Sequence, residues 1–267
     1  MSPSGDVPLR PYPGRLVELS EADPAIITAV QRRLNELGCG PIDENGVFDA
    51  RVEDAVKLFQ ARFADADGLP LKMDGIVGPI TWAALFGADS VPITTGAAEP
   101  LLAETLDVAV SQLGVLEVPP GSNRGPQVDQ YVLSVGLNPA DANPWCAAFV
   151  YFCFNEAAGK LSRPNPVIRT GSVMEHWDLA AARGVSRVLQ QNAFANPALV
   201  KPGQIFILAT GGGHGHTGVV EEVTAGKLVT IEGNTNPGGS PEGIGVFRRS
   251  SRKIVDINRG FIDYSGR

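Results

Sequence analysis

Asn143-Pro144-Trp145-Cys146-Ala147-Ala148-Phe149-Val150 is the stretch on which the reading of this chain turns. A loop closing on Pro and Trp runs into an apolar, helix-competent segment, Ala147 to Ala158, with Cys146 at its start and Gly159 expected to end it. The first N–H groups of a helix lack intrahelical partners and carry a partial positive charge. Both favour thiolate over thiol, and the thiolate is the nucleophile. Two more pieces lie downstream, Gly215-His216-Thr217-Gly218-Val219-Val220 and Ile231-Glu232-Gly233-Asn234-Thr235-Asn236. A Cys, a His to take its proton and a Glu to orient that His make up a cysteine hydrolase set.

The surrounding sequence places this set in an α+β layout. Leu102, Leu106, Val110 and Leu113 form a helical stripe over 101–113. A polar loop, Glu117 to Gly125, precedes a short helix through Val128, Tyr131 and Val132. Asn123 or Gln127 could donate to an oxyanion there, beside the backbone N–H of Cys146; the alternative is that they only satisfy loop backbone. Trp145 and His214 are further candidates for substrate contact. Ser172 and Glu175 have capping-box spacing for a helix to about Arg183. Lys201-Pro202-Gly203-Gln204 is a turn into a strand at Ile205–Leu208. Val219 to Val223 and Leu228 to Ile231 read as a hairpin about Ala225-Gly226, and Val246-Phe247 and Phe261-Ile262 as closing strands. Helices followed by a run of antiparallel strands are an α+β arrangement, with His216 and Glu232 on neighbouring strands.

The three segments together resemble the CHAP family, the cysteine- and histidine-dependent amidohydrolases and peptidases, over roughly Leu101 to Tyr264. The resemblance implies a papain-like fold related to the NlpC/P60 enzymes, with the nucleophile helix packed on an antiparallel sheet. It implies cleavage of an amide bond in bacterial peptidoglycan, either as an N-acetylmuramoyl-L-alanine amidase or as a stem or cross-bridge endopeptidase. Cys146 would be the nucleophile, His216 the base, Glu232 the orienter and Asn234 a helper.

Residues 26–86 carry a degenerate repeat. Gly46-Val47-Phe48-Asp49-Ala50-Arg51-Val52 echoes Gly75-Ile76-Val77-Gly78-Pro79-Ile80-Thr81. Each half is an Asn-Gly or Asp-Gly turn followed by a short amphipathic helix. Ahead of them Ile26, Ile27, Val30, Leu34 and Leu37 share a helical face, and Gly38 and Gly40 stop it. A compact three-helix unit is expected over 21–87. Val30-Gln31-Arg32-Arg33-Leu34, Ala55-Val56-Lys57-Leu58-Phe59-Gln60 and Asp74 to Trp82 make this unit similar to the peptidoglycan-binding domain 1 family, with Asp49 and Val52 standing where that family usually has Gly and Thr. Residues 1–20 read as an extended proline-containing arm, 88–100 as a linker and 101–267 as the catalytic domain.

The formal charge is −7, which argues against nucleic acid as a partner. No apolar run is long enough to span a membrane. Met1 to Gly14 has four prolines and no apolar h-region, so no Sec signal is expected. A wall-cutting enzyme of that kind would be made in the cytoplasm and reach the peptidoglycan layer through a pore or a secretion machine. If it is a secreted toxin, an immunity or inhibitor protein is an expected partner. The protein is expected to be a monomer.

Cys39 and Cys153 read as buried apolar filler. Cys153 follows Cys146 at a helical separation of about 10 Å, too far for a disulfide. The three histidines are His176, His214 and His216. His214 and His216 could share a strand face and a zinc ion, but no HExxH or CxxC accompanies them. Asp141-Ala142-Asn143 offers too few ligands for calcium. No metal and no cofactor is expected. His176, beside Trp177 on a helix, is expected to pack only. Three other readings compete with the hydrolase: an amidase on a small cytosolic amide, a catalytically silent wall-binding protein, and a zinc amidase.

Overall fold

A computed structural model describes residues 10–236, 238 and 243–267. The chain divides into two compact units. One contains the chain up to Ile93 with Phe194–Ala198 and Thr224–Gly226; the other contains Thr94–Ala193, Leu199–Val223 and Lys227–Arg267.

The first unit is built on helices α1 (Pro24–Glu36), α2 (Ala50–Arg62) and α3 (Pro79–Phe86). Asp23 and Asp49 cap the first two through side-chain oxygens, each satisfying otherwise unpartnered N–H groups. Ile27, Val30, Leu34, Val56, Phe59, Val77, Trp82 and Leu85 close the core. The sequence repeat has a structural counterpart in two buried glutamines. Gln31 accepts from Gly46 N–H at 2.9 Å and donates to Asn45 Oδ1 and the Val47 carbonyl. Gln60 accepts from Gly75 N–H at 2.9 Å and donates to Asp74 Oδ1 and the Ile76 carbonyl. Each glutamine therefore staples the turn that precedes the next helix.

Residues 1–9 of the expected arm lie outside the described residues. In the remainder, Val17 and Val77 exchange backbone hydrogen bonds at 3.2 and 3.0 Å, Tyr12 N–H reaches the Ser90 carbonyl, and Trp82 Nε1–H reaches the Arg10 carbonyl. Tyr12 and Val17 are buried, and that apolar anchoring holds down the proline-containing segment. The segment expected as a linker over 88–100 also carries structure, a 3-10 turn at Ala88–Ser90 and strand β1 (Ile93–Thr95).

The second unit places helices α4 (Pro100–Ser111), α5 (Pro126–Ser134), α6 (Cys146–Lys160) and α7 (Val173–Ala182) with a sheet. Its strands are β2 (Ser186–Leu189), β3 (Ile205–Gly211), β4 (His214–Thr224), β5 (Lys227–Thr235), β6 (Gly245–Lys253) and β7 (Gly260–Asp263), with a short helix α8 (Gln190–Ala195) after β2. Sheet order is β2-β7-β3-β4-β5-β6, with β1 pairing β4, and the β2–β7, β7–β3, β3–β4 and β5–β6 ladders are antiparallel. The fold class is α+β. Ala225 and Gly226 take positive φ values of 50° and 81° between β4 and β5, the conformation of a two-residue hairpin turn matched to strand twist.

Helix α6 buries Cys146 to Val150, Cys153, Phe154, Ala157 and Ala158. Gly159 does not end it; the helix runs one residue further, and Leu161 is the cap. At the start of α7 the capping box is rerouted. Ser172 accepts from Glu175 N–H, but the Glu175 carboxylate takes the Thr170 hydroxyl rather than Ser172 N–H, which goes to Thr170 Oγ1.

Candidate active site

Cys146 is the first residue of α6, and Trp145 occupies the cap position with no side-chain cap bond. The N–H groups of the first turn are thus left to other acceptors. The Cys146 thiol points at the Gly215 carbonyl at 3.9 Å, on strand β4 next to His216. His216 Nε2 lies 2.8 Å from Glu232 Oε2 on β5. His216 and Glu232 are fully buried, and Cys146 is 4% exposed.

Two glycines make this approach possible. A Cβ on Gly218 would lie 2.8 Å from Glu232 Cγ and 2.9 Å from Phe206 Cε1. A Cβ on Gly233 would lie 2.6 Å from Phe149 and 2.8 Å from Trp145, so only glycine lets β5 lie against the start of α6.

Glu232 is held on several sides. The Thr230 hydroxyl donates to Oε1 at 2.6 Å. Arg252 Nε donates to Oε1, and Arg252 Nη2 to Oε2 at 2.7 Å. The guanidinium carbon sits 4.9 Å from the Phe206 ring centre. Burial would raise the Glu232 pKa, but Arg252 and then His216 outweigh burial and hold the carboxyl well below the usual range. Burial would likewise pull the His216 pKa down, yet the Cys146 thiol and the Glu232 carboxylate push it up to about 9. With Nε2 on Glu232, Nδ1 is the ring atom left for the thiol proton; it is buried and makes no hydrogen bond.

Asn234 is buried at φ 54°, and neither of its side-chain polar atoms has a partner. The His216 Nε2 bond goes to Glu232, not to Asn234. His214 is exposed, two residues along β4 from the buried His216, and among the described residues no group of three or more His, Cys, Asp and Glu is arranged to hold a metal ion. His176 is buried with Nε2 2.9 Å from the Tyr264 hydroxyl, and burial lowers its pKa to about 4.

Among the described residues, Asn123 and Gln127 make no hydrogen bond to Cys146, His216 or Glu232. Both are half-buried, and Gln127 sits beside the Tyr131 hydroxyl. Trp145, a candidate for substrate contact, has no exposed surface. Its ring is fully buried, stacked on Tyr131 at 5.5 Å, with its N–H on Glu117. Sequence reading missed Arg252, Thr230 and Glu117. Thr230 was open to it, because residues i and i+2 of a strand share a face.

Family comparison assigns both parts of this arrangement. The family described as "CHAP domain" matches residues 138–234, a span that contains Cys146, His216, Glu232 and Asn234. The family described as "Putative peptidoglycan binding domain" matches residues 24–85. The chain joins a peptidoglycan-binding domain to a CHAP domain. No curated protein and no solved structure matches it. The CHAP domain makes it a hydrolase of the amidase or peptidase type, and the peptidoglycan-binding domain makes peptidoglycan its target. Among the described residues no helix is long and apolar enough to cross a membrane. Glu117 and Arg252 both lie outside the segment matched to the CHAP domain.

Proposed function

We propose that the protein cuts an amide bond of peptidoglycan, at the lactyl–peptide junction or within the stem or cross-bridge peptide, with Cys146 as nucleophile. One observation carries this reading: a thiol at an uncapped helix start, against the strand of a histidine whose Nε2 is bound to a buried carboxylate and whose Nδ1 is unengaged.

His216 Nδ1 takes the proton of Cys146, and Glu232 steadies the imidazolium that forms. The thiolate attacks the amide carbonyl, forming a C–S bond and a tetrahedral oxyanion. The free N–H groups of the first turn of α6 hold that oxyanion. As the intermediate collapses, the C–N bond breaks and the imidazolium gives its proton to the leaving amine. The thioester is then hydrolysed by a water that His216 deprotonates, releasing the acid and restoring the thiol. Asn234, buried with free polar atoms, is the reserve partner for the imidazole. The first unit keeps the second near its substrate by binding the wall.

The test is digestion of purified sacculi, with products weighed by mass spectrometry. Products carrying a new amine and a new carboxyl at one amide bond support the reading. Cys146→Ala should release none, while Cys39→Ala and Cys153→Ala should retain most of the activity. Full release by Cys146→Ala would remove cysteine from the mechanism.

A further inference from the structure

A buried carboxylate stands behind the nucleophile. Glu117 is 1% exposed. Its segment is tied along the start of β6: Val246 N–H to the Val115 carbonyl at 2.9 Å, and Glu117 N–H to the Ile244 carbonyl at 2.8 Å. Glu117 Oε1 accepts from Trp145 Nε1–H at 2.8 Å. Oε2 is buried without a partner. Leaving a buried polar atom unpartnered opposes folding, so this side chain is a poor choice if stability were its only role.

The start of α6 explains its presence. A Ser, Thr, Asp or Asn at the cap position would fix the helix start by accepting from its first N–H groups. An oxyanion needs those same donors. Here the cap residue is Trp145, with no side-chain cap bond. Its carbonyl accepts from Phe149 N–H at 2.9 Å, so it begins the helix, yet its side chain leaves the first-turn donors free. The position of that turn must be fixed in another way. The indole does this, through stacking on Tyr131 and one hydrogen bond to Glu117.

We infer that Glu117 is a positioning residue for the nucleophile: by holding the indole of Trp145 it fixes the uncapped start of α6, which carries the Cys146 thiol and the oxyanion donors. The inference rests on the reading of Cys146 as nucleophile, and it needs an acceptor at Glu117 rather than a charge.

The experiment uses the whole chain with Glu117→Leu, Glu117→Gln and Trp145→Phe. Three quantities are read on folded protein below its melting transition: the rate of Cys146 alkylation by iodoacetamide at pH 7, mapped by mass spectrometry, and kcat and KM on sacculi. Misplacement of reacting groups by about 1 Å loses about 10²-fold in rate, so Glu117→Leu should lower kcat by about that factor with KM within about threefold. Alkylation should slow by about tenfold as the thiol leaves its activating surroundings. Glu117→Gln keeps an oxygen that can accept the indole N–H, and should return kcat and alkylation to within about threefold of wild type. A folded Glu117→Leu protein with wild-type alkylation and kcat would overturn the inference, as would a Glu117→Gln protein as slow as Glu117→Leu. If Glu117→Leu does not fold, Trp145→Phe decides, since it keeps a ring and removes the donor: slowed alkylation supports the inference and a wild-type rate refutes it. Alkylation needs no substrate, so sacculi that resist even the wild-type protein would count against the proposed substrate and leave this test intact.

Discussion

His216 and Arg252 donate to the same oxygen of Glu232, at 2.8 and 2.7 Å. A carboxylate with no solvent exposure needs compensation for its lost hydration. Arg252 supplies it with a two-nitrogen fork, and Thr230 adds a hydroxyl. The orienting carboxylate therefore serves two cations. One is a permanent structural partner; the other, in the proposed mechanism, is an imidazole that gains and loses its charge during turnover.

Arg252→Met should reveal the structural half of that arrangement. Removing one partner of a buried ion pair costs about 3–5 kcal/mol, because the remaining charge stays buried. The urea midpoint of the second unit should fall accordingly. Adding Glu232→Gln to Arg252→Met should recover part of the loss, since no carboxylate is then stranded. A double mutant less stable than the single mutant would show that Glu232 is not stranded when Arg252 is removed.

Glu232→Gln should move the alkaline limb of kcat/KM. His216 is pushed up to about 9, with Glu232 among the causes, and in the proposed mechanism its imidazolium protonates the leaving amine. Wild-type activity should therefore hold until the pH nears 9. Without the carboxylate's charge the limb should move down toward the ordinary histidine value of 6.5. A rate profile on soluble wall fragments between pH 5 and 10 checks this. An unmoved limb would assign the raised pKa to Cys146 alone.

Stability should follow the same two groups. The pKa of His216 is raised on folding, so its contribution is full below 6.5 and is lost as pH rises through about 9. That of Glu232 is lowered, so its contribution is present above 4.5 and is lost as pH falls through the depressed value. The urea midpoint should be highest between about 4.5 and 6.5. His216→Ala should abolish the alkaline decline and lower kcat by about 10²–10⁴-fold. His214→Ala, at an exposed position on the same strand, should do neither.

Much of this was legible in the sequence, and the omissions have physical causes. The helices α1, α4 and α6 showed their apolar periodicity, and Cys146, His216 and Glu232 stood out by type and order. Arg252 did not. It lies in Arg248-Arg249-Ser250-Ser251-Arg252-Lys253, which reads as a solvated basic strand. Arg249 and Arg252 are three apart and would face opposite sides of a regular strand. The register instead pairs Thr230 with Arg249 and Leu228 with Arg252, an extra residue in β6 that brings Arg252 onto the face of Glu232. Alternation cannot reveal a bulge. Glu117 was hidden because Glu117 to Gly125 reads as a polar loop, in which no one carboxylate stands out as buried. The available signal was Trp145 itself, since a buried indole N–H needs an acceptor. Strand β2 (Ser186–Leu189) is too short and too polar to announce itself.

The first unit offers a way to separate wall binding from cleavage. Gln60 is 2% exposed and joins Gly75 N–H, the Ile76 carbonyl and Asp74 across the turn before α3. Gln60→Leu would take this partner from Gly75 N–H and the Ile76 carbonyl, while Asp74 keeps its bond from Ile76 N–H, and each buried polar group stripped of its partner costs about 1–3 kcal/mol. The first unit should therefore loosen, and the whole chain should co-sediment less with sacculi. The proposed catalytic set lies entirely in the second unit, so turnover of soluble wall fragments should stay within about twofold of wild type, whereas digestion of intact sacculi should slow as the tether's local concentration is lost. The paired measurement is co-sedimentation with sacculi and turnover of soluble fragments on one preparation. Unchanged co-sedimentation with a first unit shown to be unfolded would move wall binding to the CHAP domain. Equal loss on soluble and insoluble substrate would mean that the first unit supports the fold of the second rather than its reach.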